Sequence, residues 1–489
     1  EDLEGFDPED YENGGTGWGT MGNIHAIPED EAGKGEKRQL LPGKVSRETA
    51  DLILSKIRAA KRPVINAGNG IRIAGAHDVF MRVAEKLGIP VITGWDSEDC
   101  IWDEHPLYTG RAGNMGDRAG NFAIQNSDLV LSVGSRLSIR QVGYNYKTWA
   151  RAAFVIANDI DSEELKKPSV HADLAVHADA KDLLEQLDGA LDEILEKEGN
   201  QLAESLSKKG EKQLFGGGEG LPGMSWSETC RMWKETYPVV QEKHWNFTDQ
   251  EPANVYAAIQ AISSRLKEDQ ITVVGNGSAC VVGGHAYVIK KGQRFITNSA
   301  VAAMGYDLPA AIGAWTASRD SRCYSQGRDR SGEDLILVTG DGSIQMNLQE
   351  LQTIIHHKMG IKIFLINNGG YHSIRQTQKN FFGEPLIGIG VDSGDLSFPD
   401  MEKLACAYGY PYIKAEHNSE LAKAVEQTLA AEGPVICEIF VSMDQNFEPK
   451  SSAKRLPDGT LVSPPLEDLA PFLPEEEMDR NMIIPRIRE

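Results

Sequence analysis

At 489 residues the chain has room for about three domains of ordinary size, at roughly 150 residues each. Hydrophobic residues make up 40% and charged residues 25%, which is globular usage, and a net charge of -22 repels nucleic acid and anionic membrane surfaces, so neither is expected as a partner. No run of about 18 apolar residues predicts a membrane span, and six scattered cysteines without a C-x-x-C pair (Cys100, Cys230, Cys280, Cys323, Cys406, Cys437) read as buried or idle thiols of a reducing cytoplasm rather than a disulfide framework.

Residues 1–43 start at Glu1 without a basic-then-apolar leader, are acidic and rich in Gly and Pro, and read as a linker or surface loop. From 44 to 187 apolar runs alternate with helical patterns. Residues 62–67 predict a buried strand that ends in Gly68-Asn69-Gly70, and a helix with Val79, Phe80, Val83, Ala84 and Leu87 on one face follows. The runs 90–93, 128–133 and 154–157 repeat the pattern, which predicts a parallel sheet covered on both faces. Residues 188–250 are polar and irregular, with a charged helix over 183–206, a glycine-rich break at 216–220 and a helix near 225–235, and read as a linker. Without a secretory signal, the sequon Asn246-Phe247-Thr248 reads as chance.

Alternation resumes over 251–442, with strands expected at 271–274, 294–297, 335–338, 361–366 and 435–441, and helices at 400–408 and 419–431. The expected fold class is therefore α/β, with two doubly wound parallel-sheet domains. The tail 443–489 is Pro-rich and charged and is expected to wrap over the surface.

The strongest chemical signal lies in the second domain. The strand at 335–338 runs into Thr339-Gly340-Asp341-Gly342-Ser343, a helix with Leu348, Leu351, Ile354 and Ile355 inward is expected next, and the strand at 361–366 ends in Asn367-Asn368-Gly369-Gly370. A right-handed βαβ unit places Asp341 and Asn368 at carboxyl ends of parallel strands, where open α/β sheets bind ligands. The glycines allow a diphosphate to approach the backbone, and a helix starting near Ser343 would aim free N–H groups at it. A carboxylate, an amide oxygen and a backbone carbonyl are hard ligands suited to Mg²⁺ shared with phosphate oxygens. A tight strand-turn-helix with no ligand is the bland alternative, made less attractive by Asn-Asn at the next strand end.

Residues 340–346 through 366–368 resemble the cofactor motif of the thiamine diphosphate enzymes of the acetolactate synthase and pyruvate decarboxylase superfamily, and the resemblance extends from 44 to about 441. It implies thiamine diphosphate and Mg²⁺ as cofactors, with Asp341, Asn368 and the Gly370 carbonyl as metal ligands and Gly340, Gly342 and Ser343 around the diphosphate. Residues 302–311 look like the family segment in which a bulky apolar residue bends the cofactor. Met304 holds that position, and the Ala302 carbonyl that of an acceptor for the 4'-amino group; the alternative for Met304 is a gap-filling core residue. Asn276, Gly277 and Ser278 resemble a second diphosphate-binding turn, although acetolactate synthases have Gln-His where this chain has Ser278-Ala279.

In acetolactate synthases the domain resembling 44–187 holds FAD. Here Gly68-Asn69-Gly70, residues 110–116, Gly134-Ser135-Arg136 and Asp159-Ile160-Asp161 resemble its parts, but both acidic positions of a Gly-Ala-Arg-Phe-Asp-Asp-Arg run are lost in residues 134–140, which leaves FAD retention open. A nicotinamide site is disfavoured because Ile73 stands where G-x-G-x-x-G needs its third glycine. The resemblance also implies a pyrimidine-binding domain ahead of Glu1, carrying the glutamate that activates the cofactor; no glutamate in 1–43 sits in a suitable context, so truncation, or supply by another chain, is expected. His372, Arg375 and Gln376 follow the metal loop and are candidate substrate contacts, against the reading of a solvated helix start; His356 and His357 read as an exposed helix end. The expected function is a cytoplasmic carboligase acting on a 2-oxo acid, as a homodimer or homotetramer. The alternatives are a decarboxylase, a sugar-modifying carboligase, and a non-catalytic cofactor-binding piece.

Overall fold

Short aliphatic runs, each followed by a turn and an amphipathic helix, fold into two fully parallel six-stranded sheets. The computed structural model describes residues 42–205, 215, 217–320, 333–455 and 460–487, so almost all of the expected 1–43 linker lies outside the described residues. The first sheet comprises β1 (Pro63–Ala67), β2 (Val91–Thr93), β3 (Tyr108–Arg111), β4 (Leu129–Val133), β5 (Phe154–Asp159) and β6 (Leu174–His177), in the order β3-β2-β1-β4-β5-β6. The second comprises β7 (Ile271–Val274), β8 (Arg294–Thr297), β9 (Leu335–Gly340), β10 (Ile361–Asn367), β11 (Tyr412–Ala415) and β12 (Val435–Phe440), in the order β11-β12-β10-β9-β7-β8. Two buried clusters cover the two faces of each sheet, which is why the central strands are apolar throughout. The α/β class with two doubly wound sheets is the one the sequence predicts.

Three local expectations need correction. The break at 187/188 falls inside the helix Ala180–Ser205, whose Leu183, Leu184, Leu187, Ala190 and Leu191 are buried in the first domain's core. The helix expected near 225–235 forms as Trp226–Thr236, opened by a capping box between Ser225 and Glu228, but it belongs to the first domain rather than to a linker. That helix buries Trp226, Cys230 and Trp233 against the other face of the first sheet, and Trp226 Nε1 donates to the Pro63 carbonyl at 2.9 Å. The tail does more than wrap: Leu466 and Met478 join the same core, and Asn481 Oδ1 accepts from Trp233 Nε1 at 2.8 Å. The chain thus returns from the second sheet to the first.

Strand order reverses between β1 and β4 in the first sheet and between β7 and β9 in the second. Each reversal opens a crevice at the carboxyl ends of the strands, since the connections leave to opposite sides. Both crevices are occupied by the glycine-bearing turns singled out in the sequence.

Candidate functional site

In the second crevice β10 pairs with β9 in a register that sets Ile366 opposite Gly340, so Asp341 and Asn368 follow the paired strand ends within one residue of each other. Asp341 is 2% exposed. Its Oδ1 accepts from Gly342 N–H at 3.0 Å and its Oδ2 from Gly370 N–H at 2.8 Å, which folds the β10 turn back over the carboxylate. Each oxygen keeps a further lone pair. Burial pushes the Asp341 carboxyl up to about 7, against the pull of these two N–H groups and of Arg375. A buried carboxyl shifted this way is stabilised by a cation at its open side.

The companion signal is Asn368. Its Nδ2 donates to Ser278 Oγ at 2.9 Å, at the start of the helix Ser278–Ala286, while its Oδ1 is buried without a hydrogen-bond partner. A buried acceptor left unpaired, two residues before the Gly370 N–H that binds the Asp341 carboxylate, marks a place for an ion or a ligand. Among the described residues no cluster of three or more His, Cys, Asp or Glu could hold a metal. A metal here therefore rests on one carboxylate, neutral oxygens and the ligand's own phosphates, which suits Mg²⁺. The residues fit the metal and a diphosphate together.

The remaining expected residues surround this pair, with different duties. Gly277 has φ +72°, and a Cβ there or on Gly340 would project into space with nothing closer than 3.9 Å, so both backbones are open to close approach. Gly342 is required for another reason: its Cβ would lie 2.4 Å from the Tyr371 ring. Ser343 Oγ accepts from Gly305 N–H at 3.0 Å and so braces the segment carrying Met304. The α-helix expected from Ser343 starts only at Glu350, after a 3₁₀ turn over Ile344–Asn347 that tightens the backbone, so α-helical N–H groups do not face the site from Ser343. Met304 is 42% exposed, which excludes the gap-filling core alternative. Ala302 sits at φ +55°, and its carbonyl accepts from Asn276 Nδ2.

The candidate substrate contacts point elsewhere. Arg375 is 1% exposed; it pairs with Asp392 at 2.8 and 2.9 Å and donates to the carbonyls of Asn368 and Gly369, both at 3.1 Å. Its guanidinium is a clamp on the Asn368–Gly369 turn, fully occupied within the protein. His372 is buried, its Nε2 lies 2.8 Å from the Gln445 carbonyl, and burial holds its imidazole down at about 4; Gln376 Nε2 donates to the same carbonyl at 3.1 Å. Both residues tie the helix His372–Phe381 to the chain after β12. No local pattern in the sequence marks these anchoring roles, nor those of Asp96 and Asp99.

In the first crevice Gly68 and Gly70 pack directly on Gly134: a Cβ on Gly68 would come within 2.3 Å of the Gly134 carbonyl oxygen. Beyond them opens a cavity of about 630 Å³, lined by Arg136, Arg140, Asp159, Asp161, Asp179 and, from the second domain, Ser299. Arg136 is paired with Glu164 at 2.8 Å, and Arg140 lies over the Trp95 ring.

Comparison with known proteins decides the family. The model of the thiamine pyrophosphate enzyme central domain matches residues 50–187, and that of the C-terminal thiamine pyrophosphate binding domain matches residues 275–439. The chain belongs to the thiamine pyrophosphate enzymes. The second match spans the Asp341 and Asn368 turns, so the crevice between β7 and β9 lies in this family's cofactor-binding domain. Among curated relatives, a probable acetolactate synthase large subunit of Methanococcus aeolicus is 27% identical over 411 residues, 83% of this chain and 61% of that protein. The acetolactate synthase large subunits of Cyanidium caldarium and Lactococcus lactis are each 28% identical, covering 80% and 83% of this chain and 59% and 62% of their own lengths. This thiamine pyrophosphate enzyme chain thus spans about six tenths of the length of the relatives it matches.

Proposed function

We propose that the chain is the cofactor-binding part of a thiamine diphosphate- and Mg²⁺-dependent carboligase of the acetolactate synthase type. It decarboxylates a 2-oxo acid and transfers the two-carbon unit to a carbonyl acceptor. The observation that carries the metal assignment is the unpaired, buried Asn368 Oδ1 on the turn whose Gly370 N–H binds the buried Asp341 carboxyl. The acetolactate synthase names of the relatives support the reaction class.

When bound, thiamine diphosphate supplies the nucleophilic carbon and the electron sink that decarboxylation needs. The chain's residues would hold it: Asp341, Asn368 and the Gly370 carbonyl would ligate Mg²⁺, and Gly277, Ser278, Gly340 and Gly342 would accommodate the diphosphate. Met304 and the Ala302 carbonyl orient the thiamine portion. The activating glutamate comes from a pyrimidine-binding domain outside these residues, on the same polypeptide or on a second subunit, and the assembly is a homodimer or homotetramer. A cytoplasmic setting is supported by free thiols at Cys100, Cys230, Cys280, Cys406 and Cys437. No described helix is long and apolar enough to cross a membrane.

Product analysis from labelled pyruvate tests the reaction. Acetolactate or another ligated product supports the carboligase; acetaldehyde alone supports the decarboxylase, and a product formed only with a sugar or aldehyde acceptor supports that branch. Labelled CO₂ released by this chain by itself, with thiamine diphosphate and Mg²⁺ bound, would refute the reading of a non-catalytic cofactor-binding piece. FAD remains an open third group: the 630 Å³ cavity at the β1/β4 reversal offers it a place, although residues 134–140 lack the two acidic positions of the family run. A folded protein that stays colourless after incubation with FAD and desalting would refute it.

A further inference from the structure

The segment that presents Ala302 and Met304 is held from both domains. At its far end Gly305 donates to Ser343 Oγ at 3.0 Å and accepts from Asn347 Nδ2 at 2.7 Å, both within the second domain. At its near end the partner is foreign. Asp96, on the loop that follows β2 of the first domain, accepts through Oδ1 from Ser299 N–H at 3.3 Å and Ser299 Oγ–H at 2.7 Å. Ser299 is 2% exposed, and Asp96 takes a φ of +66°, a region a non-glycine residue enters at a cost. Three residues beyond Ser299, Ala302 is also left-handed, with its N–H on the Asn298 carbonyl at 2.8 Å and its carbonyl on Asn276.

A neighbouring carboxylate separates the duties. Asp99 grips β8 itself, accepting from Arg294 Nε at 2.8 Å and Phe295 N–H at 3.1 Å, with Arg72 on its other oxygen at 3.1 Å. The strand is therefore anchored without Asp96. What Asp96 adds is the direction in which the chain leaves the strand, hence where Met304 and the Ala302 carbonyl stand relative to Asn276. The diphosphate half of the crevice has its own supports in Asp341, Asn368 and Arg375.

We propose that Asp96 is a positioning residue. Through Ser299 it sets the Ala302–Met304 arm against the thiamine portion of the cofactor, while Asp341, Asn368 and the Gly370 turn keep supports of their own. The proposal rests on the thiamine diphosphate reading above. It makes the first domain a working part of the cofactor site rather than a neighbour to it.

Calorimetric titration of the purified chain with thiamine diphosphate and, separately, with inorganic diphosphate, both at saturating Mg²⁺, tests it. Wild-type protein should prefer thiamine diphosphate. Asp96→Ala should lose about tenfold in affinity for thiamine diphosphate, because the freed arm must then be ordered on binding, with inorganic diphosphate binding unchanged. Asp96→Asn keeps an acceptor oxygen and should recover most of the loss. Should Asp96→Ala fail to fold, Ser299→Ala removes the 2.7 Å bond alone and should show the same selective loss. Unchanged thiamine diphosphate affinity, an equal loss for both ligands, or an Asn variant as weak as the Ala variant overturns the proposal. So does wild-type protein that binds both ligands equally. Wild-type protein that binds neither ligand overturns the cofactor reading itself.

Discussion

Replacing Arg375 by alanine separates a structural clamp from a substrate contact. The side chain is 1% exposed and makes four hydrogen bonds, two to Asp392 and one each to the carbonyls of Asn368 and Gly369. Removing one partner of a buried ion pair costs about 3–5 kcal/mol. The Asp392 side chain is 22% exposed, so water recovers part of its solvation and the lower end, about 3 kcal/mol, is expected. Urea unfolding at pH 7 reads this as a lower midpoint with an unchanged slope. The sign of the pH dependence is fixed too. Arg375, through hydrogen bonding, holds the Asp392 carboxyl below its usual range, so the pair's contribution is present above the ordinary carboxylate pKa and is lost as pH falls through the depressed one. The gap between wild type and variant should therefore close in acid. Because the clamp holds the Asn368 and Gly369 carbonyls, thiamine diphosphate affinity should fall with stability. An Arg375→Ala protein that unfolds at the wild-type urea concentration and binds thiamine diphosphate as tightly as wild type would refute the assignment.

Two further outcomes are expected. Glu98 is buried, one of its oxygens has no partner, and burial pushes its carboxyl up to about 8. Its stabilising contribution is thus full below the ordinary glutamate pKa and lost as pH rises through about 8; Glu98→Gln should flatten the pH-stability profile across that window by about 1.4 kcal/mol per unit, and a profile identical to wild type would contradict this. Gly342→Ala places a Cβ 2.4 Å from the rigid Tyr371 ring and should cost about 1–3 kcal/mol with weaker diphosphate binding; an unchanged melting temperature would show that the turn has room.

The legible parts of the sequence were those written in local pattern. The runs ending at Gly340 and Asn367 predict β9 and β10 because buried parallel strands are apolar on both faces, and their terminal turns carry the site. The strand β3 was invisible because Tyr-Thr-Gly-Arg has no apolar run: Arg111 is there to donate to the carbonyls of Gly284, His285 and Tyr287 at the end of the helix Ser278–Ala286. The strand β6 was missed because only Val176 of its four residues is buried. Residues 188–250 looked like a linker since Trp226 and Trp233 find their partners, Pro63 and Asn481, far away in sequence. Arg375 looked like a ligand for the same reason: its partner Asp392 lies in a loop that no motif describes.

The central claim is that Asp341 and Asn368 hold a diphosphate through a divalent cation, and a titration of the purified chain with thiamine diphosphate, with Mg²⁺ and with a chelator, tests it most directly. The account predicts saturable binding with Mg²⁺, none with the chelator, and none for Asp341→Ala under either condition. Binding that is indifferent to Mg²⁺, or unchanged in Asp341→Ala, would contradict it.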